Sequence, residues 1–91
     1  MKTSDVAKYL NISIPSFEIE SKRSFVARKI LEIKTEIFSI ANKYGIKSLK
    51  EFESLIKKGK IRETSESRDD FYRLDYLESR LGILNKILRT L

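Results

Sequence analysis

The stretch VARKILEIKTEIFSIANKYG, Val26 to Gly45, decides the fold. Within it Val26, Ile30, Ile33, Ile37, Ile40 and Tyr44 recur at alternating steps of four and three. On an α-helix that spacing draws one apolar seam of the coiled-coil kind. Ala27, Leu31, Phe38 and Ala41 widen it into a broader face. Gly45 then supplies the residue that most easily takes the left-handed conformation at a helix end. The pattern predicts a long helix from about Ser21 to Lys43.

A matching seam lies near the other end of the chain. Leu74, Leu77, Leu81, Leu84, Leu88 and Leu91 follow the same steps, flanked by Tyr76, Ile83 and Ile87. Ser67 is placed to cap this last helix, with Asp69 and Asp70 in its first turn near the positive end of the dipole. Between the two seams, Ser48 and Glu51 have capping-box spacing, and Phe52, Leu55 and Ile56 give a short amphipathic helix an apolar side. Lys57 and Lys58 sit where cations suit a helix C-terminus, and Gly59 ends it. GKIRETSES, from Gly59 to Ser67, has no apolar period and reads as a loop.

Two helices on the order of 35 Å long thus carry complementary seams. The expectation is an all-α fold: an antiparallel long-helix hairpin with a short middle helix, residues 21–91, preceded by an arm or short helix over residues 1–20. Pairing the two seams leaves Leu31, Phe38, Ile83 and Ile87 uncovered. A second copy of the hairpin would cover them as a four-helix-bundle-like core, so a homodimer is expected.

Composition narrows the function classes. The chain has 91 residues, no Cys and no His. It therefore lacks disulfides, thiolate and imidazole metal ligands, and the usual general base near neutral pH. No nucleophile–base pair, phosphate-cradling glycine loop or dinucleotide fingerprint is present, so neither catalysis nor a cofactor is expected. No apolar run approaches the roughly 18 residues of a membrane span. A cytoplasmic protein without membrane contact is the expectation. The net charge of +6 lies in residues 1–60, which hold 13 Lys and Arg against 7 Asp and Glu, while residues 61–91 hold 6 of each. A basic surplus favours acidic partners, nucleic acid among them.

The N-terminal phrase SDVAKYLNIS, Ser4 to Ser13, admits two readings. In one, Asp5 to Leu10 is the first helix of a helix-turn-helix, Asn11-Ile12-Ser13 the turn, and Ile14 to Ser24 the recognition helix. Phe17 then falls at a core position and Ser16 at a small polar one, and the phrase resembles the reading head of MerR-type regulators over about 15 residues. Glu18 and Glu20 oppose that reading, since carboxylates repel phosphates, although Lys22, Arg23 and Arg28 can reach a DNA backbone. In the other reading, Tyr9, Ile12, Ile14 and Phe17 belong to an irregular, partly extended arm interrupted by Pro15, lying across the bundle or a partner subunit.

Two further clusters are candidates for contact. Asp69, Arg73, Tyr76 and Arg80 share a helical face, with Tyr72 beside them, and Asp69 and Arg73 are spaced for a surface pair. Tyr and Arg are favoured interface anchors, so Tyr72, Tyr76 and Arg80 are the expected protein-binding residues. Asp69, Asp70 and Asp75 offer oxygen ligands, but their spacing does not gather all three on one face, and no metal site is expected. The basic cluster KKGKIR adds Lys57, Lys58, Lys60 and Arg62 to Lys22, Arg23 and Arg28 as candidate nucleic-acid contacts. No aromatics are interleaved there for base stacking. Gly82, in mid-helix, costs about 1 kcal/mol relative to Ala; it either permits a close helix approach or is simply tolerated.

The order of arm, long helix, KYGIKSLKEFESLIKKGKI and DDFYRLDYLESRLGILNKIL, with its Asp-aromatic-Leu texture from Asp70 to Leu77, is similar to that of the small charged helical proteins of archaea grouped as antitoxin-like partners of toxin ribonucleases. The resemblance implies a protein that masks a partner and binds its own operator. It assigns no functional residue. The expected function is a non-enzymatic protein–protein interaction module, with a small DNA-binding regulator as the alternative.

Overall fold

The computed structural model describes residues 2–91. It is all-helical: α1 spans Thr3–Tyr9, α2 Ile14–Tyr44, α3 Leu49–Lys57 and α4 Ser65–Thr90. The molecule is a rod of 59 × 23 × 17 Å with a radius of gyration of 18.9 Å. A compact chain of this length would have about 12 Å. The elongation arises because α2 and α4 pack side by side along most of their length.

The two seams meet as an antiparallel pair. At the closed end, Ile40, Ile46, Phe52, Leu74 and Leu77 form one buried cluster; towards the open end, Val26, Ile30 and Leu84 form a second, with Leu88 and Leu91 packed on it. Ile33 touches both clusters and joins them. Two cross-helix clamps fix the register. The Arg73 guanidinium donates to both Glu36 carboxylate oxygens, at 2.5 and 2.9 Å. Lys43 donates to Asp70 at 2.8 Å and to Glu66, and the Tyr44 hydroxyl donates to Asp70. Arg73 thus pairs across the hairpin with Glu36, not along α4 with Asp69 as its spacing suggested.

α3 closes the hairpin through Phe52, with Leu49, Leu55 and Ile56 packed against the same cluster. Phe52 has no exposed surface, and its ring lies 4.6 Å from that of Tyr44 and 5.6 Å, edge-on, from that of Phe71. Ser48 caps α3 by accepting from the Glu51 N–H at 3.1 Å, while the Glu51 carboxylate accepts from the Lys47 N–H at 3.2 Å. The reciprocal bond expected at Ser48 falls one residue earlier. Gly45 ends α2 at φ 65° and Gly59 follows α3 at φ 74°, both in the left-handed region. The loop after α3 is tied down by Ile61, which packs against the closed-end cluster.

Two helix starts differ from the sequence expectation. α2 begins at Ile14, not Ser21, with Ser13 as N-cap accepting from the Ser16 N–H at 3.2 Å. Pro15 sits in the first turn, where its missing N–H has no intrahelical partner to lose. The irregular, partly extended arm is therefore replaced by helix: α1, a four-residue turn in which Asn11 adopts φ 57°, and the first turns of α2. α4 is capped by Thr64, not Ser67. Ser67 is instead the third helical residue and is buried; its hydroxyl donates to the Arg62 carbonyl at 2.9 Å and accepts from the Thr64 N–H at 2.8 Å. Glu66 takes the first-turn place expected for Asp69 and Asp70.

Candidate protein-interaction surface

With the seam buried, the hairpin has two long flanks, and each keeps large apolar side chains in water. On one side, Phe38 lines a groove with Lys34, Ile37, Ala41, Ile46 and Leu81. Leu31 lies two turns before Phe38 on the same flank of α2, and the two are 65 % and 70 % exposed. On the other side, Tyr76 and Arg80 line a shallow groove with Glu32, Ile33, Glu36 and Arg73. Ile83 and Ile87 continue that flank along α4 and are about half exposed. The four residues expected to be left uncovered by pairing the seams are all exposed, and α3 hides none of them. Phe25 joins them, with the charged groups of Arg28 and Lys29 5.9 and 5.6 Å from its ring centroid.

The Tyr76 and Arg80 surface is preorganised by the clamp beneath it. Arg73, held by Glu36, places its guanidinium 5.4 Å from the Tyr76 ring centroid, so the ring has a cation on one side and solvent on the other. The Arg73 hydrogen bond holds the Glu36 carboxyl below its usual range, against a smaller opposing effect of burial. Tyr72 lies one turn before Tyr76 on the outer surface but opens on a different groove, between α3 and α4, with Glu53, Ile56, Lys57, Glu63, Arg68 and Phe71. The expected trio thus forms one strip along α4 that borders two grooves.

The candidate nucleic-acid contacts do not come together. Lys22, Arg23 and Arg28 lie on the open half of α2, whereas Lys57, Lys58, Lys60 and Arg62 surround the end of α3 at the closed end. The separation along α2 alone is on the order of 30 Å. Lys57 is paired with Glu53 at 3.0 Å, and the Lys58 backbone N–H caps α3 through the Ser54 carbonyl at 3.0 Å.

Two carboxylates of α4, Glu66 and Asp70, serve the fold. Burial pushes the Asp70 carboxyl up, but the Lys43 ammonium and the Tyr44 hydroxyl outweigh it and hold the group below the usual range. Burial, then Asp70, raises the Tyr44 hydroxyl, and Asp70 and Glu66 raise Lys43. Among the described residues no three acidic or other ligating side chains are gathered to hold a metal ion, and no helix is long and apolar enough to cross a membrane. Sequence reasoning missed both cross-helix clamps. Their members, Glu36, Lys43, Asp70 and Arg73, carry no local signal, because the pairing exists only once the register is set.

Neither the curated proteins nor the solved structures include a match. One family model matches residues 1–91, and the chain accordingly belongs to the Uncharacterized protein MJ0235 family.

Proposed function

We propose that the chain is a non-enzymatic interaction module, a cytoplasmic helical homodimer that binds a protein partner, with masking of that partner in an antitoxin-like manner as its specific role. One observation carries the reading: both flanks of the hairpin keep large apolar residues exposed, Leu31 and Phe38 on one side and Tyr76, Ile83 and Ile87 on the other. Several large apolar side chains exposed on one flank and bordered by charge are the marks of a contact surface. The Tyr72, Tyr76 and Arg80 strip is the partner surface, since Tyr and Arg supply large contact area with few rotatable bonds. The test is capture from native lysate on the immobilised chain. The reading expects a discrete partner that is retained by Lys58→Ala and lost with Tyr76→Ala and Arg80→Ala. A strictly monomeric chain that captures nothing contradicts it.

A second reading, a small DNA-binding regulator, is favoured by the N-terminal geometry. α1, the left-handed turn residue Asn11 and the start of α2 follow one another as a helix-turn-helix does, with Ala7 buried and Lys22, Arg23 and Arg28 following on α2. This reading expects duplex binding that weakens steeply with salt and is lost on charge reversal of those three residues. Duplex binding unchanged after deletion of residues 1–20 contradicts it.

A further inference from the structure

Gly82 has no reason to be glycine within its own chain. It sits in the interior of α4, and a Cβ built on it would meet nothing within 4 Å. Its backbone is helical, so no left-handed turn requires it. A mid-helix glycine lowers helix stability, yet no neighbouring element of this molecule approaches it. A physical use for such a glycine is close approach by another chain.

The charges around Gly82 say which chain. On α4 the seam of Leu74, Leu77, Leu81 and Leu84 divides two flanks. Tyr76, Arg80, Ile83 and Ile87 lie on one, and the residues at helical spacing on the other are Asp75, Glu78, Gly82, Lys86 and Arg89. Asp75 and Arg89 stand seven residues to either side of Gly82, and Glu78 and Lys86 four to either side. None of the four has an ion-pair partner among the described residues. Laid antiparallel on a copy of itself with Gly82 at the crossing, the strip sets each acid opposite a base. A parallel copy in register would oppose like charges. The helix dipole accounts for Arg89, in the last turn of α4, but not for Glu78, which lies more than three turns from the start, because its influence fades within the terminal turns.

Burial of Glu78 and the nearby Asp75 carboxylate raise the Glu78 carboxyl above its usual range, so these two acids repel each other in the isolated chain. The apolar part of the flank lies at the same level. Ile30 and Leu84 share the open-end cluster, against which Ile33 and Leu81 also pack, and Lys43 pairs with Asp70; carried along the antiparallel pair, that register places Leu31 level with Gly82 across the hairpin, and Phe38 follows two turns on. A patch two helices wide, about 20 Å, and about 30 Å long has a footprint of about 600 Å². With surface relief this is of the order of the roughly 800 Å² that each partner contributes to a standard interface.

We propose that a second copy of this chain docks on the Leu31, Phe38 and Gly82 flank, with the two α4 helices crossing antiparallel at Gly82 and Asp75 of each copy facing Arg89 of the other. The proposal rests on the homodimer reading and adds its face and register. It leaves the opposite flank, with Tyr76 and Arg80, free for a different partner. A two-fold axis through the crossing brings the two Leu31 side chains together beside the two glycines. The contact is isologous and closes on itself.

The full chain tests this by sedimentation across micromolar concentrations, with helicity and melting followed in parallel on dilute samples. Asp75→Arg and Arg89→Asp should each weaken self-association about tenfold or more, since each breaks two symmetric pairs. The double reversal should restore it. Residues 75 and 89 are about 21 Å apart along one helix, so rescue arises only between copies. Gly82→Leu should weaken association to a similar degree while raising the melting midpoint of the dilute chain. A wild-type dimer indifferent to all three changes, or reversals that the double variant fails to rescue, overturns this face and leaves the homodimer reading standing. A wild-type monomer at every concentration overturns both.

Discussion

Replacing Phe52 by leucine isolates the contribution of α3 to the closed end of the hairpin. Nine residues are too few for a helix to persist in water by local interactions, so α3 depends on docking. Phe52 is the anchor, fully buried between the rings of Tyr44 and Phe71. Truncation to alanine would cost about 3–5 kcal/mol. A chain of this size has a total stability of about 5–14 kcal/mol, so that variant risks global unfolding. Leucine keeps most of the volume and loses the two aromatic contacts, each worth about 0.5–1.5 kcal/mol beyond buried area. The expected loss is about 1–3 kcal/mol, or roughly 5–20 °C in melting midpoint for a domain of this length. Thermal circular dichroism of a dilute sample reads it, with the exposed Tyr72→Leu as a control expected to stay within about 0.5 kcal/mol of the parent. If Phe52→Leu melts with the control, α3 is not held as described and the closed-end cluster is wrong.

Other outcomes follow from the same packing. Ile33→Glu and Leu81→Glu each place a carboxylate in the seam where the two clusters meet, and each should lower stability by about 3–5 kcal/mol, read as loss of helical dichroism at reduced denaturant. Ser67→Ala leaves the Thr64 N–H and Arg62 carbonyl without their buried partner and should cost about 1–3 kcal/mol, more than Thr64→Ala at about 1 kcal/mol. Asp70 is held below its unfolded carboxyl value, so its contribution is fully present above that value, near pH 4, and is lost as the pH falls through the folded one. Melting midpoints of the parent should therefore drop on acidification through that window, and Asp70→Asn should start lower and drop less.

The hairpin was legible because its evidence is periodic. Six seam residues on each long helix repeat at steps of three and four, and nothing but a paired helix uses that spacing over so many turns. The start of α2 was not legible, and the structure gives the reason. Val26 is the first residue of α2 that belongs to a buried cluster, so residues 14–22 hold no seam position and show no period. Pro15 then looks like an interruption, although in the first turn it is compatible with a helix. The cap of α4 was misplaced by three residues because Thr64 and Ser67 are both good capping residues, and only the backbone shows which one precedes the first turn. Of the expected contact surface, the exposure of Leu31, Phe38, Ile83 and Ile87 followed from counting what a two-helix seam can cover. The division of the basic residues between two ends did not, because net charge carries no information on distance.

The antiparallel register of α2 against α4 underlies every surface described above. Because the chain has no cysteine, introduced cysteines carry spin labels at chosen positions only. Pairs at 29 and 86 and at 29 and 69, diluted into unlabelled protein so that only distances within one chain are read, measure the register directly. In the antiparallel register the 29–86 pair is the shorter by on the order of 15 Å: the two α4 sites are about 25 Å apart along the helix, and the sideways offset between the helices enters both distances. A 29–69 distance equal to or shorter than the 29–86 distance would contradict it.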